Sequence, residues 1–231
     1  MSMIQDNILR LKDNISLICC RLGRNPDEIT LVAVTKYVDI ERIKEALNLG
    51  ISDLGENKVQ EGLKKYQGSE FQPPKITRHM IGHLQTNKVK STLEVFDFIQ
   101  SVDSFRLAQE IDKQSLKLDK KTRILVQVNT SGEEQKFGVP RGNAYSLVEK
   151  IIDLKNVQLQ GLMTIAPWTE DKIIIRDCFK RLSELREKIS NQLCRDEHAE
   201  MKFLSMGMSD DYEIALEQGS NMIRIGRAVF S

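Results

Sequence analysis

No two of the four cysteines, Cys19, Cys20, Cys178 and Cys194, form a CxxC pair, and none stands near a histidine at metal-ligand spacing. That argues against a structural zinc or other metal site. Cys19 and Cys20 are adjacent on a helical pattern that splays their side chains apart, so all four are expected to be reduced. An excess of charge of one sign is also missing: 34 Lys and Arg stand against 33 Asp and Glu in 231 residues. Without a net field there is nothing to draw nucleic acid or an anionic membrane. The basic residues Lys58, Lys64, Lys65, Lys75 and Arg78 have acids nearby, and Asp53, Glu56 and Glu61 read as strand-tip and helix-surface groups. No apolar run is long enough to cross a bilayer. The segment Met1-Ser2-Met3-Ile4-Gln5-Asp6-Asn7 lacks the basic start and apolar centre of a signal peptide. A soluble, cytoplasmic protein with neither membrane nor nucleic-acid partner is therefore expected. No Ser/His/Asp set, fixed-period repeat or low-complexity tract is present. His79 and His83 are about 13 Å apart if both lie on one strand, too far to share a metal, and His198 reads as solvated.

What is present is alternation. Ile4, Ile8, Leu11, Ile15, Ile18 and Leu22 recur in steps of four and three, which predicts an amphipathic helix over 4–22 stopped by Gly23. Strand-like runs follow at 31–36, 53–57, 76–81, 96–102, 123–129, 157–165, 203–206 and 222–225. Helical stretches lie between them at 40–49, 58–66, 86–93, 104–118, 140–152, 171–189 and 210–217, with a polar loop at 67–75. Strands alternating with helices at this spacing predict right-handed βαβ units and a parallel sheet. Eight such units predict one (β/α)8 TIM barrel over 1–231, a single domain. No helix follows the last strand, so the extra N-terminal helix is expected to pack on the barrel in its place. An open doubly wound sheet is the alternative, but no GxGxxG follows the first strand.

In such a barrel the chemistry belongs at the C-terminal strand ends. Those ends carry Lys36, Asn57, Gly82-His83, Ser101, Asn129, Thr164, Ser205-Met206-Gly207-Met208-Ser209 and Arg224-Ile225-Gly226-Arg227. An ammonium at the tip of a buried strand costs free energy unless it has a partner or a reaction. Partial desolvation would also make it a better amine nucleophile. Lys36 is thus a candidate Schiff-base lysine, against the plainer reading of a lysine snorkelling to solvent. The glycine turn at 205–209, followed by Asp210-Asp211 and a helix start, suits an anion, as does the backbone at Gly226. Period-two alternation puts Met222, Arg224 and Gly226 on one strand face. If that face is the interior, the Arg224 guanidinium needs an acceptor, either a ligand ring nitrogen or a barrel carboxylate such as Glu56. A Schiff-base lysine after the first strand, with a phosphate site across the barrel mouth at the last two, describes a pocket for pyridoxal 5′-phosphate (PLP).

At these residues the chain closely resembles the YggS/PROSC family of pyridoxal phosphate homeostasis proteins. The matching segments are Ala33-Val34-Thr35-Lys36, Gly55-Glu56-Asn57-Lys58-Val59-Gln60-Glu61, Ile81-Gly82-His83-Leu84-Gln85-Thr86-Asn87-Lys88, Gly161-Leu162-Met163, Ser205-Met206-Gly207-Met208-Ser209-Asp210-Asp211 and Arg224-Ile225-Gly226. The resemblance implies a barrel similar to the N-terminal domain of alanine racemase. It implies PLP bound covalently through Lys36, with Asn57, Ser205, Met206, Ser209, Arg224 and Gly226 lining the site and Arg224 facing the pyridine nitrogen. Lys136 matches a second lysine implicated in cofactor handling. One position departs from the family, which usually has Thr or Ser after Arg-Ile-Gly where this chain has Arg227. A guanidinium there can bind phosphate bidentately or point away.

The resemblance further implies a monomeric carrier with no established turnover, which buffers PLP, passes it to apoenzymes through transient contacts, and affects amino-acid and keto-acid balance. The alternative is a PLP-dependent amino-acid racemase. Two-base racemisation needs a second acid/base group on the opposite ring face. Of Tyr37, Tyr66, Tyr145 and Tyr212, only Tyr37 is near the pocket, beside the lysine itself. A cofactor-free Schiff-base aldolase is the third reading.

Overall fold

The computed structural model describes residues 2–66, 68, 71, 76–133, 135–193 and 199–231. Cys194, His198, Lys75 and most of the 67–75 loop lie outside these residues. The strands are β1 (Thr30–Val34), β2 (Asp53–Glu56), β3 (Thr77–Met80), β4 (Phe98–Val102), β5 (Thr122–Asn129), β6 (Val139–Pro140), β7 (Val157–Met163), β8 (Ala199–Ser205) and β9 (Met222–Ile225). All pairings are parallel, in the order β4-β3-β2-β1-β9-β8-β7-β5-β6, and β4 also pairs with β5. That last pairing closes the sheet into an eight-stranded barrel, with the two-residue β6 as a side branch on β5. The chain is thus a TIM barrel, as the alternation predicts.

The helices form the outer ring: α1 (Met3–Arg21), α2 (Ile40–Asn48), α3 (Val59–Lys65), α4 (Val89–Val95), α5 (Phe105–Lys117), α6 (Arg141–Ile152), α7 (Lys172–Leu193), α8 (Tyr212–Glu217) and α9 (Arg227–Phe230). In α1 the predicted apolar face, Ile4, Ile8, Leu11, Ile15 and Ile18, is buried. Ser2 caps its start by accepting from Gln5 N at 3.1 Å. Gly23, at φ 65°, ends it in the left-handed region that glycine enters without steric cost. The helix packs on α9, α8 and α2; contrary to expectation a short helix, α9, does follow the last strand, and α1 lies against it rather than in its place.

Strand alternation divides two cores. Ala33, Leu54, Met80, Ile99, Ile124, Leu162, Leu204, Ile223 and Ile225 face the helices, in one large cluster. Val32, Phe98, Leu125, Met163 and Met222, with Phe203 against them, form a small plug in the barrel itself. Interior positions beyond that plug are polar. His79, Gln100, Ser205 and Arg224 are all buried, an inward polarity that the apolar rule for cores does not anticipate.

Several boundaries differ from expectation. The 86–93 helix opens as a 3-10 turn, Thr86–Lys88, before α4. β8 begins at Ala199, earlier than the apolar run at 203–206 suggests, because Glu200 and Lys202 interrupt the hydrophobic pattern. Pro140 precedes α6 as its cap rather than occupying its first turn. Gly161, at φ 147°, lies where the β7–β8 register shifts, and an added Cβ there would come within 1.9 Å of Phe203 O. Only glycine allows those strands to approach so closely.

Candidate functional site

The site is built on the mouth ends of β1, β2, β8 and β9. β1 stops at Val34 rather than running through Lys36. Thr35 N makes a last sheet bond to Gly55 O (2.9 Å), and Val38 N closes a turn on Thr35 O (3.0 Å). Lys36 is exposed within that turn. The expected partial desolvation of its amine is therefore not met; Nζ lies 4.8 Å from the centroid of the Tyr37 ring instead. Tyr37 itself has φ 63°. A left-handed non-glycine residue costs roughly 1–2 kcal/mol, so the turn carrying the lysine is held against local strain by its surroundings.

Those surroundings are a buried polar cluster. Glu56, fully buried at the end of β2, accepts from Lys65 Nζ (2.9 Å), from Asn57 N (2.9 Å) and from Thr35 Oγ1 (3.2 Å). Lys65 Nζ also donates to Thr35 O at 2.7 Å, and Tyr66 Oη meets Thr35 Oγ1. Burial, ahead of the neighbouring Glu56 charge, pushes the Tyr66 phenol far above its ordinary range. Glu56 is thus neither a strand-tip surface group nor the partner of Arg224, because Lys65 takes its charge first. Nor do Lys65 and Arg78 belong to a solvated basic patch: Arg78 pairs with Asp97 at 2.9 Å and is itself buried.

Arg224 does face the barrel interior and is 3% exposed. Nη1 donates to Ser205 Oγ (2.6 Å) and Nη2 to Thr164 O (2.8 Å). Neither acceptor is charged. Burial lowers its pKa to about 10, against the opposing charge of Asp211. A guanidinium has five N–H donors, and these are the only bonds it makes among the described residues, so donors remain for a ligand acceptor. Ser205, a candidate lining residue, stands behind Arg224 with its hydroxyl engaged. Met206, an expected lining residue, is not available to a ligand: its side chain lies in the helix-facing core, its N–H donates to Met222 O (3.1 Å) and its carbonyl accepts from Ser220 Oγ (2.7 Å).

The turn after β8 is held by its own acid. Met208 N donates to Asp211 Oδ1 at 2.5 Å. Gly207, at φ 99°, passes so near α8 that a Cβ would meet Ala215 Cβ at 2.6 Å. Ser209 Oγ accepts from Ala228 N at 3.3 Å, which joins this turn to the one after β9. Arg227 turns outward to pair with Asp210, both side chains largely exposed. Gly226 has φ −107° and a Cβ there would meet Val34 only at 3.5 Å; the fold itself does not demand glycine, whereas a ligand pressed against that backbone would. Because β9 pairs with β1, Lys36 and the anion turns occupy neighbouring strands rather than opposite rims.

Asp211 is 8% exposed, and burial raises its pKa, outweighing the Met208 N–H bond and the Arg224 charge. A carboxyl whose folded pKa lies above its unfolded value contributes stability that is present in acid and lost as pH rises through the folded pKa. Asp211→Asn, neutral throughout and still able to accept from Met208 N, is therefore expected to raise Tm at neutral pH. Thermal melts across pH should show that gain shrinking to nothing below the unfolded carboxylate pKa; a gain independent of pH would contradict the assignment.

Asn57 Oδ1 is buried with no hydrogen-bond partner, an unmet acceptor beside the mouth. Lys136 is placed elsewhere: it pairs with Glu133 (2.6 Å), donates to Ala166 O (3.2 Å), and lines a cleft of about 850 Å³ with Trp168, Met208, Asp210 and Asp211. His79 and His83 are not paired with each other. His79 bonds Asp53, and His83 lies in the mouth loop stacked on Phe137 at 4.0 Å between centroids. No group of three metal-ligating side chains and no helix long and apolar enough to cross a membrane occurs among the described residues.

The fold and site define a closed parallel barrel with a lysine in the turn after β1, a glycine turn after β8 and an inward arginine on β9. The sequence comparisons narrow it. Residues 7–231 match the family described as alanine racemase, N-terminal domain. A pyridoxal phosphate homeostasis protein of Aquifex aeolicus is 39% identical over 225 residues, 97% of this chain and 96% of that one. Among solved structures, a protein of unknown function from Bifidobacterium adolescentis superposes with a TM-score of 0.92 at 35% identity, over 98% of this chain and 94% of that one. PipY of Synechococcus elongatus with PLP bound gives a TM-score of 0.81 at 30% identity, over 94% and 100%. The chain belongs to the alanine racemase N-terminal domain family and, within it, to the pyridoxal phosphate homeostasis proteins.

Proposed function

We propose that this protein binds PLP at the barrel mouth, covalently through Lys36, and serves intracellular PLP homeostasis by holding the cofactor and releasing it to apoenzymes. The observation that carries the reading is the convergence, on neighbouring strands, of an exposed amine at Lys36, a buried guanidinium with donors to spare at Arg224, and the joined turns of Ser209 and Gly226. The unmet Asn57 Oδ1 is a further fit to a polar ligand. When bound, the cofactor supplies an aldehyde for an amine and an electron-withdrawing pyridine ring. The residues of this chain would hold it: Lys36 covalently, Arg224 toward the ring nitrogen, and Ser209 with the Gly226 backbone toward the phosphate. An arginine at the ring nitrogen keeps its own proton and leaves that nitrogen unprotonated, a feature that carriers and racemases of this fold would share. Ser205 supports Arg224 from behind, and Arg227 closes the turn onto Asp210 rather than gripping phosphate.

Release is served by the rim. Tyr37, Phe137, Ile165, Trp168 and Met208 all stand exposed around the mouth, and exposed apolar groups of this kind suit a transient protein contact. We extend the reading to Lys136, in the cleft beside the turn after β8, as a residue that would leave Glu133 to meet cofactor on its way in or out. The racemase reading needs a second base facing Lys36 across the ring. Tyr66 is buried, Tyr212 meets Asn14 Nδ2 at 2.6 Å, and the Tyr37 ring lies against Lys36 itself, so the tyrosines favour the carrier. We take the working form to be a cytoplasmic monomer.

The carrier reading is tested by mixing PLP-loaded protein with the apo form of a PLP enzyme while a scavenger removes free cofactor. Activity is expected to return, and to return faster than with an equal load of PLP on serum albumin. Reactivation no better than the albumin control would leave binding without delivery.

A further inference from the structure

A file of polar side chains runs through the barrel interior from the mouth toward its opposite end. Arg224 Nη1 reaches Ser205 Oγ (2.6 Å), and Ser205 Oγ reaches Gln100 Oε1 (2.6 Å). Gln100 Nε2 lies 2.9 Å from His79 Nδ1, and His79 Nε2 lies 2.9 Å from Asp53 Oδ1. Each residue comes from a different strand: β9, β8, β4, β3 and β2. The four nearest the mouth are buried, and Asp53, at the start of β2, is half-buried. A buried polar file of this length is costly unless each group is satisfied. Binding at the mouth does not by itself require its lower half.

The two ends fix the direction of every bond. A guanidinium only donates and a carboxylate only accepts. Ser205 Oγ accepts from Arg224, so its one hydroxyl proton goes to Gln100 Oε1. The Gln100 amide then turns its NH2 toward His79, with Met222 Sδ at 3.2 Å from the same nitrogen. His79 Nδ1 must accept, so the ring proton sits on Nε2 and points at Asp53. Burial pulls the Asp53 carboxyl up, but its side-chain hydrogen bonds, from His79 first and then from Ser52 Oγ (2.7 Å), outweigh it and hold it below its ordinary value. Phe98, packed 5.2 Å from the His79 ring, adds no competing partner.

We propose that Gln100, His79 and Asp53 are positioning residues for Arg224: they fix which way the Ser205 hydroxyl points, and so fix the guanidinium plane presented to the ring nitrogen of bound PLP. The proposal rests on the cofactor reading above and extends it to three side chains with no direct contact to the ligand. The file is directional, so the carboxylate's role is to accept and not merely to carry charge. Asn at position 53 can accept from His79 Nε2 and preserve the file; Leu cannot. Leu at position 100 breaks it in the middle, leaving the Ser205 hydroxyl and His79 Nδ1 unpaired.

The test has one arm without cofactor. In ligand-free protein labelled with ¹⁵N-histidine, with His79→Gln used to assign the signal, His79 is expected as the neutral tautomer protonated on Nε2. Gln100→Leu should release it into a mixture of tautomers. In the loaded protein, Gln100→Leu and Asp53→Leu are expected to weaken PLP binding about tenfold, the scale of one lost buried hydrogen bond, and to move the visible absorption band. Asp53→Asn should restore both toward wild type. A merely structural role would lower Tm without moving the band or being rescued by Asn. Finding His79 protonated on Nδ1, or finding wild-type affinity and band position in the Gln100 and Asp53 variants, would overturn the proposal while leaving PLP binding intact. Wild-type protein that takes up no PLP would instead sink the cofactor reading, and the orientation role with it.

Discussion

Lys36→Ala protein incubated with PLP is expected to lose the protein-bound visible absorbance, and borohydride should fix little cofactor to it. The argument is geometric before it is chemical. Lys36 lies in the turn after β1, and β9, which carries Arg224 and Gly226, is the strand paired with β1. No other lysine is placed in that turn. Surface lysines elsewhere form weak, scattered adducts with aldehydes, but they lack the guanidinium and the joined turns that hold the rest of the ligand. Absorbance titration of wild type and variant with PLP measures the effect, which should exceed a hundredfold in affinity, about 2.7 kcal/mol or more. Variant protein that titrates like wild type would remove Lys36 from the site. Because the side chain is exposed, Lys36→Ala should leave Tm nearly unchanged, so loss of binding would not be loss of fold.

Lys65→Met is expected to act in the opposite way, through stability. Lys65 and Glu56 are both buried and 2.9 Å apart, and removing one member of a buried pair leaves an uncompensated charge that costs about 3–5 kcal/mol. For a domain of this size that lowers Tm by roughly 6–20 °C. Lys65 Nζ also holds Thr35 O, so the Lys36 turn should loosen and PLP affinity fall together with Tm. Adding Glu56→Gln removes the orphaned charge and keeps an acceptor for Asn57 N, while its amide NH2 faces Thr35 Oγ1, which can accept and still donate to Gly55 O. The double variant should recover at least half of the lost stability, a coupling that a double-mutant cycle reads directly. A single variant as stable as wild type would mean that the pair does not brace the turn.

The barrel was legible because its signals are local. Apolar steps of four and three mark α1, and period-two alternation put Met222 and Arg224 on one face of β9, which the structure shows to be the interior. The mouth lysine and the glycine turns were legible by position, since strand ends in a barrel face one way. What the sequence could not supply was partner choice. Glu56 was open to Arg224 or to solvent, and only the return of α3 beneath β1 puts Lys65 against it. The predicted closed barrel, by contrast, already pairs its last strand with its first, as β9 does with β1, so setting Lys36 and the anion turns across the mouth from each other was inconsistent with closure. Lys36 is exposed because β1 ends at Val34, in a turn where Tyr37 enters the left-handed region, a conformation that nothing in the residue type signals. The interior file has no local signature: His79 alone reads as a possible metal ligand, and Gln100 draws no reading of its own. The signal that could have found them is inward alternation: His79 on β3 and Gln100 on β4 occupy the positions that face the barrel axis, as Arg224 does on β9.

The most direct measurement is peptide mapping of wild-type protein loaded with one equivalent of PLP, reduced with borohydride and digested. The account expects the added phosphopyridoxyl mass on the peptide containing Lys36 at close to full occupancy, with no more than traces elsewhere. The same mass on Lys136, or spread across many lysines with Lys36 unmodified, would contradict it.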